Sequence, residues 1–439
     1  MFCTTVIALM MCLADAPRVA EMTPANNATD VDPSIVELRV TFDRDMDTGG
    51  YSFTGGGPKF PKTTGKPRWI DKRTAVMPVA LEPGQRYELG INAASFKNFR
   101  SAEGVPVEPV RWTFKTRDPS KKSDPEAQRK ANRQAADELA AVLTNRYSYY
   151  DLHRDVLPKP AELTKRLLDA PDTDSWVQTA ASALEPAKDL HLWFEHDGET
   201  YATGRRAIDP NFNPNGVASV LANYKKLGNN TARARTDDGI GYILIATWSQ
   251  SLANELDLVE QALGSMLDCK AIIVDVRPNS GGDELLARRI AGWFVEEPKV
   301  YARNRNRDPN VPGGWTQTYE RIIEPHSPDK RFKGKLAVLT GPANMSSCES
   351  FIKMMQQSPR CTTIGEKTWG SSGNPKPQPL SNGVTIFVPS WQDLLPDGTV
   401  LEGRGIEPDV KVTAAHAAFA TGDPVIQRAV TILRGESSR

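Results

Sequence analysis

The chain of 439 residues has no surplus of charge of either sign: 54 Lys and Arg stand against 54 Asp and Glu. A protein that holds nucleic acid through its phosphates carries a basic excess, so that class is excluded as an expectation. Histidine is scarce, with five in all, and none falls in a His-x-x-x-His or His-Glu-x-x-His arrangement. The five cysteines, Cys3, Cys12, Cys269, Cys348 and Cys361, lack metal-ligand spacing. No metal and no cofactor are therefore expected. Cys348 and Cys361 could approach if their helix and strand pack together, and a disulfide or two buried thiols both remain open. The chain also lacks the Gly-x-Ser-x-Gly elbow of an α/β-hydrolase and a phosphate-binding Gly-x-x-x-x-Gly-Lys loop.

Long apolar runs are absent too. The run from Phe2 to Ala16 is too short to span a membrane. Its length and its small-residue end, Leu13-Ala-Asp-Ala16, suit an export signal over 1–16, although no Lys or Arg precedes it. A periplasmic or secreted protein is expected, and a cytoplasmic one if 1–16 is not a signal. The sequence does not fix an oligomeric state.

Residues 23–117 read as an all-β sandwich. Val36, Leu38, Val40 and Phe42 alternate with polar residues, as do Tyr87, Leu89 and Ile91, and then Val110, Trp112 and Phe114. Gly- and Pro-rich turns separate these runs. A polar linker at 118–124 follows. Residues 125–190 form a small helical part, with helices expected at 125–147, 160–168 and 174–184. From 191 to 412 the pattern changes to buried strands, Gly241–Ala246, Ala271–Val276 and Leu336–Thr340, alternating with amphipathic helices. That alternation indicates an α/β core with a sheet covered on both faces. Residues 208–230 are rich in loop signals and carry no assignment. A C-terminal helix or tail occupies 413–439.

Four features carry chemistry. Ser346 stands where a strand gives way to a helix, a place where a hydroxyl is exposed and free N–H groups point outward. With Glu349 three residues on, it also reads as a capping box. Asp275-Val-Arg-Pro-Asn-Ser-Gly-Gly282 leaves a buried strand through two glycines, which permits close approach and N–H groups aimed at an anion. His191 lies among Leu190, Leu192 and Trp193, and histidine is the usual general base at neutral pH; His196 is its nearest competitor. Glu402, beside glycines, is a carboxylate that can orient an imidazole, with Glu407 and Asp409 as alternatives.

In their order along the chain, Asp275–Gly282, the Leu339-Thr-Gly-Pro342 strand end, Ser346-Ser-Cys-Glu349, Gly365–Gly373 and Gly405-Ile-Glu-Pro-Asp409 resemble the tail-specific (C-terminal-processing) serine peptidase family. Residues 23–117 resemble a bacterial Ig-like domain through Thr41–Met46, Leu81–Gly84 and Phe114–Thr116. The first resemblance implies a crotonase-like or ClpP-like fold and a peptidase acting on protein or peptide substrates. In one branch of that family a lysine is the base, and the position matching it here is Ser371. In the branch resembling the tricorn core, a distant histidine serves instead and a late glutamate orients it. The carry-over makes Ser346 the nucleophile, His191 the base and Glu402 its support, with the N–H groups of Gly281, Gly282 and Ser347 around the oxyanion. That branch also uses a serine to orient the histidine, and no residue here is assigned to it. Residues 194–240 are too few for the PDZ domain that many relatives carry. A non-catalytic ligand- or peptide-binding protein on the same fold is the alternative.

Overall fold

The computed structural model describes residues 16–118, 124–204, 208–312 and 314–436. The export-signal segment therefore lies, up to residue 15, outside the described residues. The chain divides into two compact units, 1–125 and 126–439.

The first unit is a β-sandwich. One sheet orders Val19–Thr23, Glu37–Phe42 and Thr74–Ala80, with the short strands Lys62–Thr63 and Arg68–Trp69 along its edge. The other orders Ala28–Val31, Val110–Thr116, Arg86–Ile91 and Phe53–Thr54. The alternating residues read from the sequence face inward: Leu38, Val40, Phe42, Leu89, Ile91, Trp112 and Phe114 are all buried. Val36 is the exception and stands exposed, because it precedes the strand.

The second unit is built on a seven-stranded sheet. Its order is Lys225–Lys226, Thr231–Arg235, Ile240–Ile245, Ala271–Asp275, Lys335–Thr340, Cys361–Gly365 and Val410–Lys411. The first two pairings are antiparallel and the rest parallel. Side chains alternate across it. Ile243, Ile272, Val274, Leu336 and Val338 pack under the helices Leu256–Gly264, Glu284–Ala291 and Ser347–Met355. Tyr242, Leu244, Ile273, Ala337 and Leu339 meet the helices Pro214–Val220 and Pro424–Arg434. Burial on both faces is why these strands are apolar throughout.

The helices Pro125–Asn145, Pro160–Leu168 and Thr173–Leu184 share a core with a four-stranded antiparallel sheet. That sheet orders Glu199–Ala202, Trp193–His196, Thr385–Pro389 and Pro375–Pro379. A three-stranded sheet of Tyr319–Ile323, Lys299–Asn306 and Trp391–Leu394 completes the unit. Cys348 and Cys361 carry free thiols, so the disulfide alternative is set aside.

A fully buried charge cluster knots the C-terminal end of the parallel strands. The Arg277 guanidinium donates to both Asp275 oxygens at 2.9 and 2.6 Å and to both Asp423 oxygens at 3.0 and 2.7 Å. It also donates to Asn211 O at 2.9 Å. Asp423 in turn caps the helix Pro424–Arg434, accepting from Val425 N and Ile426 N. One guanidinium thus fastens the loop around Asn211 and the C-terminal helix to the strand end that leads to Gly281 and Gly282.

Candidate active site

Ser346 sits between the strand Lys335–Thr340 and the helix Ser347–Met355, with φ 55° and ψ −129°. A non-glycine residue held there is strained by roughly 1–3 kcal/mol, and such residues cluster at functional sites. The capping box expected from Ser346 and Glu349 does not form. The serine makes no side-chain cap, and Glu349 turns away to accept from Thr368 Oγ1, Gly370 N (2.8 Å) and Ser371 N (3.1 Å). The strained backbone is the reason: it swings the hydroxyl away from the helix N–H groups. Ser346 is half-buried, and its Oγ makes no hydrogen bond to any described residue.

His191 is buried, and its Nδ1 lies 2.9 Å from Ser371 Oγ. Its backbone N–H donates to Asp189 Oδ1 at 2.8 Å. Tyr147 Oη donates to the other oxygen of that carboxylate at 2.7 Å. Ser371 is thus the histidine's partner that sequence reasoning left unplaced; the only signal was that it stood where a lysine was sought. It also ties in Ser346, whose N–H donates to Ser371 O at 2.7 Å. One residue later, Ser372 N donates to Glu402 Oε2 at 2.9 Å. The segment 370–372 therefore gathers Ser346, His191 and Glu402, although none of the three hydrogen-bonds another.

The glycine pair lies against Ser346 and the Trp248 backbone. A Cβ on Gly281 would come within 2.9 Å of Ser346 Cβ, and one on Gly282 within 2.3 Å of the Trp248 backbone. Ser347 Oγ donates to Gly282 O at 2.6 Å. The N–H groups of Gly282 and Ser347 donate to no described residue. Gly281 departs from expectation: its N–H donates to Asn279 Oδ1 at 2.8 Å, a local turn bond that removes it as a free donor. Its place in the site is steric.

The competing residues are engaged elsewhere. His196 lies in the strand Trp193–His196, and its Nδ1 is 3.4 Å from Gly383 O. Glu407 pairs with Lys367 at 3.0 Å, and Asp409 accepts from Thr363 N and Oγ1.

Residues 239–412 match the profile of peptidase family S41, and residues 14–116 that of a bacterial Ig-like domain. The chain joins an Ig-like module to a peptidase family S41 domain. Carboxy-terminal processing protease CtpB of Bacillus subtilis is 22% identical over 198 residues, 45% of this chain and 37% of CtpB. CtpA of the same organism is 23% identical over 175 residues, 40% of this chain and 35% of CtpA. The chain thus spans about a third of the length of these curated relatives. Among solved structures, a candidate peptidase from Parabacteroides merdae covers 72% of this chain and all of its own, at TM-score 0.57 and 23% identity. Mature CPAF covers 71% of this chain and 99% of its own, at TM-score 0.52 and 11% identity. These likenesses establish the fold of the S41 unit.

Burial dominates the electrostatics around His191 and Glu402. It pulls His191 down to about 4, opposed by the nearby Asp393 carboxylate. Burial pushes Glu402 well above the carboxylate range, and the charge of Asp189 adds to this. Asp189 itself rises to about 6 through burial, against the bonds from Tyr147 and His191. Asp393 is held low: burial would raise it, but Lys353 Nζ at 2.8 and 2.9 Å and the Arg321 guanidinium at 3.3 Å outweigh that. His191 is accordingly neutral at pH 7, the form able to accept a proton.

A titration follows from this. The His191 ring resonance in the folded protein will move with a midpoint near pH 4, not near 6.5. Between those values the unfolded chain binds a proton that the folded one does not. This histidine's contribution to stability is therefore lost as pH falls from 6.5 towards 4. A measured midpoint at or above 6.5 contradicts the buried placement of the ring.

Proposed function

We propose that the chain is a serine endopeptidase that works through an acyl-enzyme on Ser346. The observation carrying this reading is the strained Ser346, whose own N–H is tied to Ser371, the residue that holds His191 Nδ1. With Nδ1 protonated and donating to Ser371 Oγ, Nε2 keeps a lone pair. Ser346 Oγ attacks the peptide carbonyl carbon and its proton passes to His191 Nε2. The oxygen, now anionic, accepts from Gly282 N–H and Ser347 N–H, the latter at a helix N-terminus where partial positive charge gathers. The carbon–nitrogen bond breaks, and the leaving amine takes the proton from His191. Water, deprotonated by the same imidazole, then hydrolyses the ester and restores Ser346.

Glu402 accepts from Ser372 N and so steadies the 371–372 segment against which His191 Nδ1 rests. Export to the periplasm or beyond fits the Ig-like module and the processing-protease relatives, and makes an extracytoplasmic protein or peptide the substrate. No described helix is long and apolar enough to cross a membrane.

The test is to incubate the full chain with an unstructured protein and to map new N-termini by mass spectrometry. New internal N-termini that vanish after fluorophosphonate treatment are expected. A chain that binds the substrate but generates none is a binding protein on the same fold, and the peptidase reading falls.

A further inference from the structure

Glu349 has no place in the mechanism above, yet it is completely buried within a turn of Ser346. It lies at the third position of the helix Ser347–Met355, where a glutamate ordinarily reaches back to the cap. Here it crosses to the loop and accepts three hydrogen bonds, from Thr368 Oγ1, Gly370 N and Ser371 N. The nearest cation on its own helix, Lys353, is bound to Asp393. Among the described residues no cation hydrogen-bonds Glu349, and the loop supplies its donors.

Ser371 is held in both directions. Its N–H donates to Glu349 and its carbonyl accepts from Ser346 N, so two bonds lock it to the start of one helix. Its hydroxyl then meets His191 Nδ1. Helix, loop and imidazole form one chain of contacts, with the carboxylate at its root. Gly370 holds φ 82° and packs so closely on Gly405 that an added Cβ would come within 2.3 Å of Gly405 N, so no residue with a side chain fits there.

Resting on the peptidase reading, we propose that Glu349 is a positioning residue that acts through Ser371, holding His191 in register with Ser346. The Ser-x-x-Glu pattern is then a tether between nucleophile and base. Glutamine at 349 offers one acceptor oxygen to three donors and turns an NH₂ against an N–H. A displacement of this kind near the reacting atoms lowers turnover by about 10²-fold.

The experiment compares the parent, Glu349→Gln, Ser371→Ala and the double variant in the full chain. It measures the rate of fluorophosphonate labelling together with kcat and KM on a peptide substrate. Leu263→Ala, a core truncation in the helix Leu256–Gly264, serves as the control for lost stability alone. Expected are a fall of about 10²-fold in kcat and in labelling for Glu349→Gln and a KM within about threefold. The double variant should be no slower than Ser371→Ala, the His191 ring resonance should be shifted in Glu349→Gln, and Leu263→Ala should change neither. Multiplying effects in the double variant, or labelling of Glu349→Gln within about threefold of the parent, overturn the proposal. A parent that is never labelled defeats the peptidase reading instead. Should Glu349→Gln not fold, Glu349→Asp takes its place with the same outcomes, since it keeps the charge and draws it back by one methylene.

Discussion

Replacing Ser346 by alanine will lower kcat/KM for peptide hydrolysis by about 10⁴-fold or more, with little change in thermal stability. Both halves of that expectation come from the same geometry. The hydroxyl makes no hydrogen bond to any described residue, so its removal leaves no buried partner unsatisfied. Alanine inherits the same backbone strain and adds none. What disappears is the nucleophile. His191→Ala is expected to cost nearly as much, because the serine is a poor nucleophile without a base. The double variant should be no slower than the worse single one, since groups that act as a unit do not contribute independently. Steady-state rates on a fluorogenic peptide and a melting curve for each variant check all three statements. Multiplying losses would mean that the two residues do not share a step.

The second large effect is on folding. Arg277→Met should destabilise residues 126–439 by about 3–5 kcal/mol or more, because it strands two carboxylates in the interior. In the native protein each is paired with the guanidinium, and all three side chains are fully buried. That loss is a large share of the roughly 5–15 kcal/mol by which domains are stable. Asp423→Asn should be much milder. Asparagine caps a helix as well as aspartate does, and Arg277 keeps Asp275. The order of the two variants in a denaturant titration tests the account, and an Arg277→Met midpoint close to the parent's would contradict it. The same cluster explains why the C-terminal helix, which lies outside the S41 match, belongs to the unit that holds the site.

Much of the scaffold was legible because the central strands are buried on both faces. Gly241–Ala246, Ala271–Val276 and Leu336–Thr340 announce themselves as apolar runs, and all three are adjacent in the sheet. Lys299–Asn306 was not legible. It carries Arg303 and Arg305, half-buried and bonded to Pro396 O and Gln392, so composition masks a strand. The short edge strand Lys225–Lys226 and the helix Pro214–Val220 were lost among the turn residues of 208–230.

At the site, the fold gathers residues that local patterns singled out but gives some of them other bonds. Ser-x-x-Glu is a capping box by sequence, and only packing against Gly281 and Ser371 reveals the strained turn that breaks it. Asn279-Ser-Gly281 does contain its own correction: an asparagine two residues before a glycine commonly takes that N–H in a turn. That is what removes Gly281 from the free donors. Ser371 could not have been found in this way. Its tie to His191 joins residues 180 apart.

The proposed mechanism stands on Ser346 as a nucleophile activated by His191. Its most direct measurement is peptide mapping by mass spectrometry of the full chain after treatment with a fluorophosphonate, for the parent and for His191→Gln. One covalent adduct is expected, on Ser346, formed in the parent and slowed by about 10³-fold or more in the variant. An adduct on any other residue, or equal labelling of Ser346 in both proteins, would contradict it.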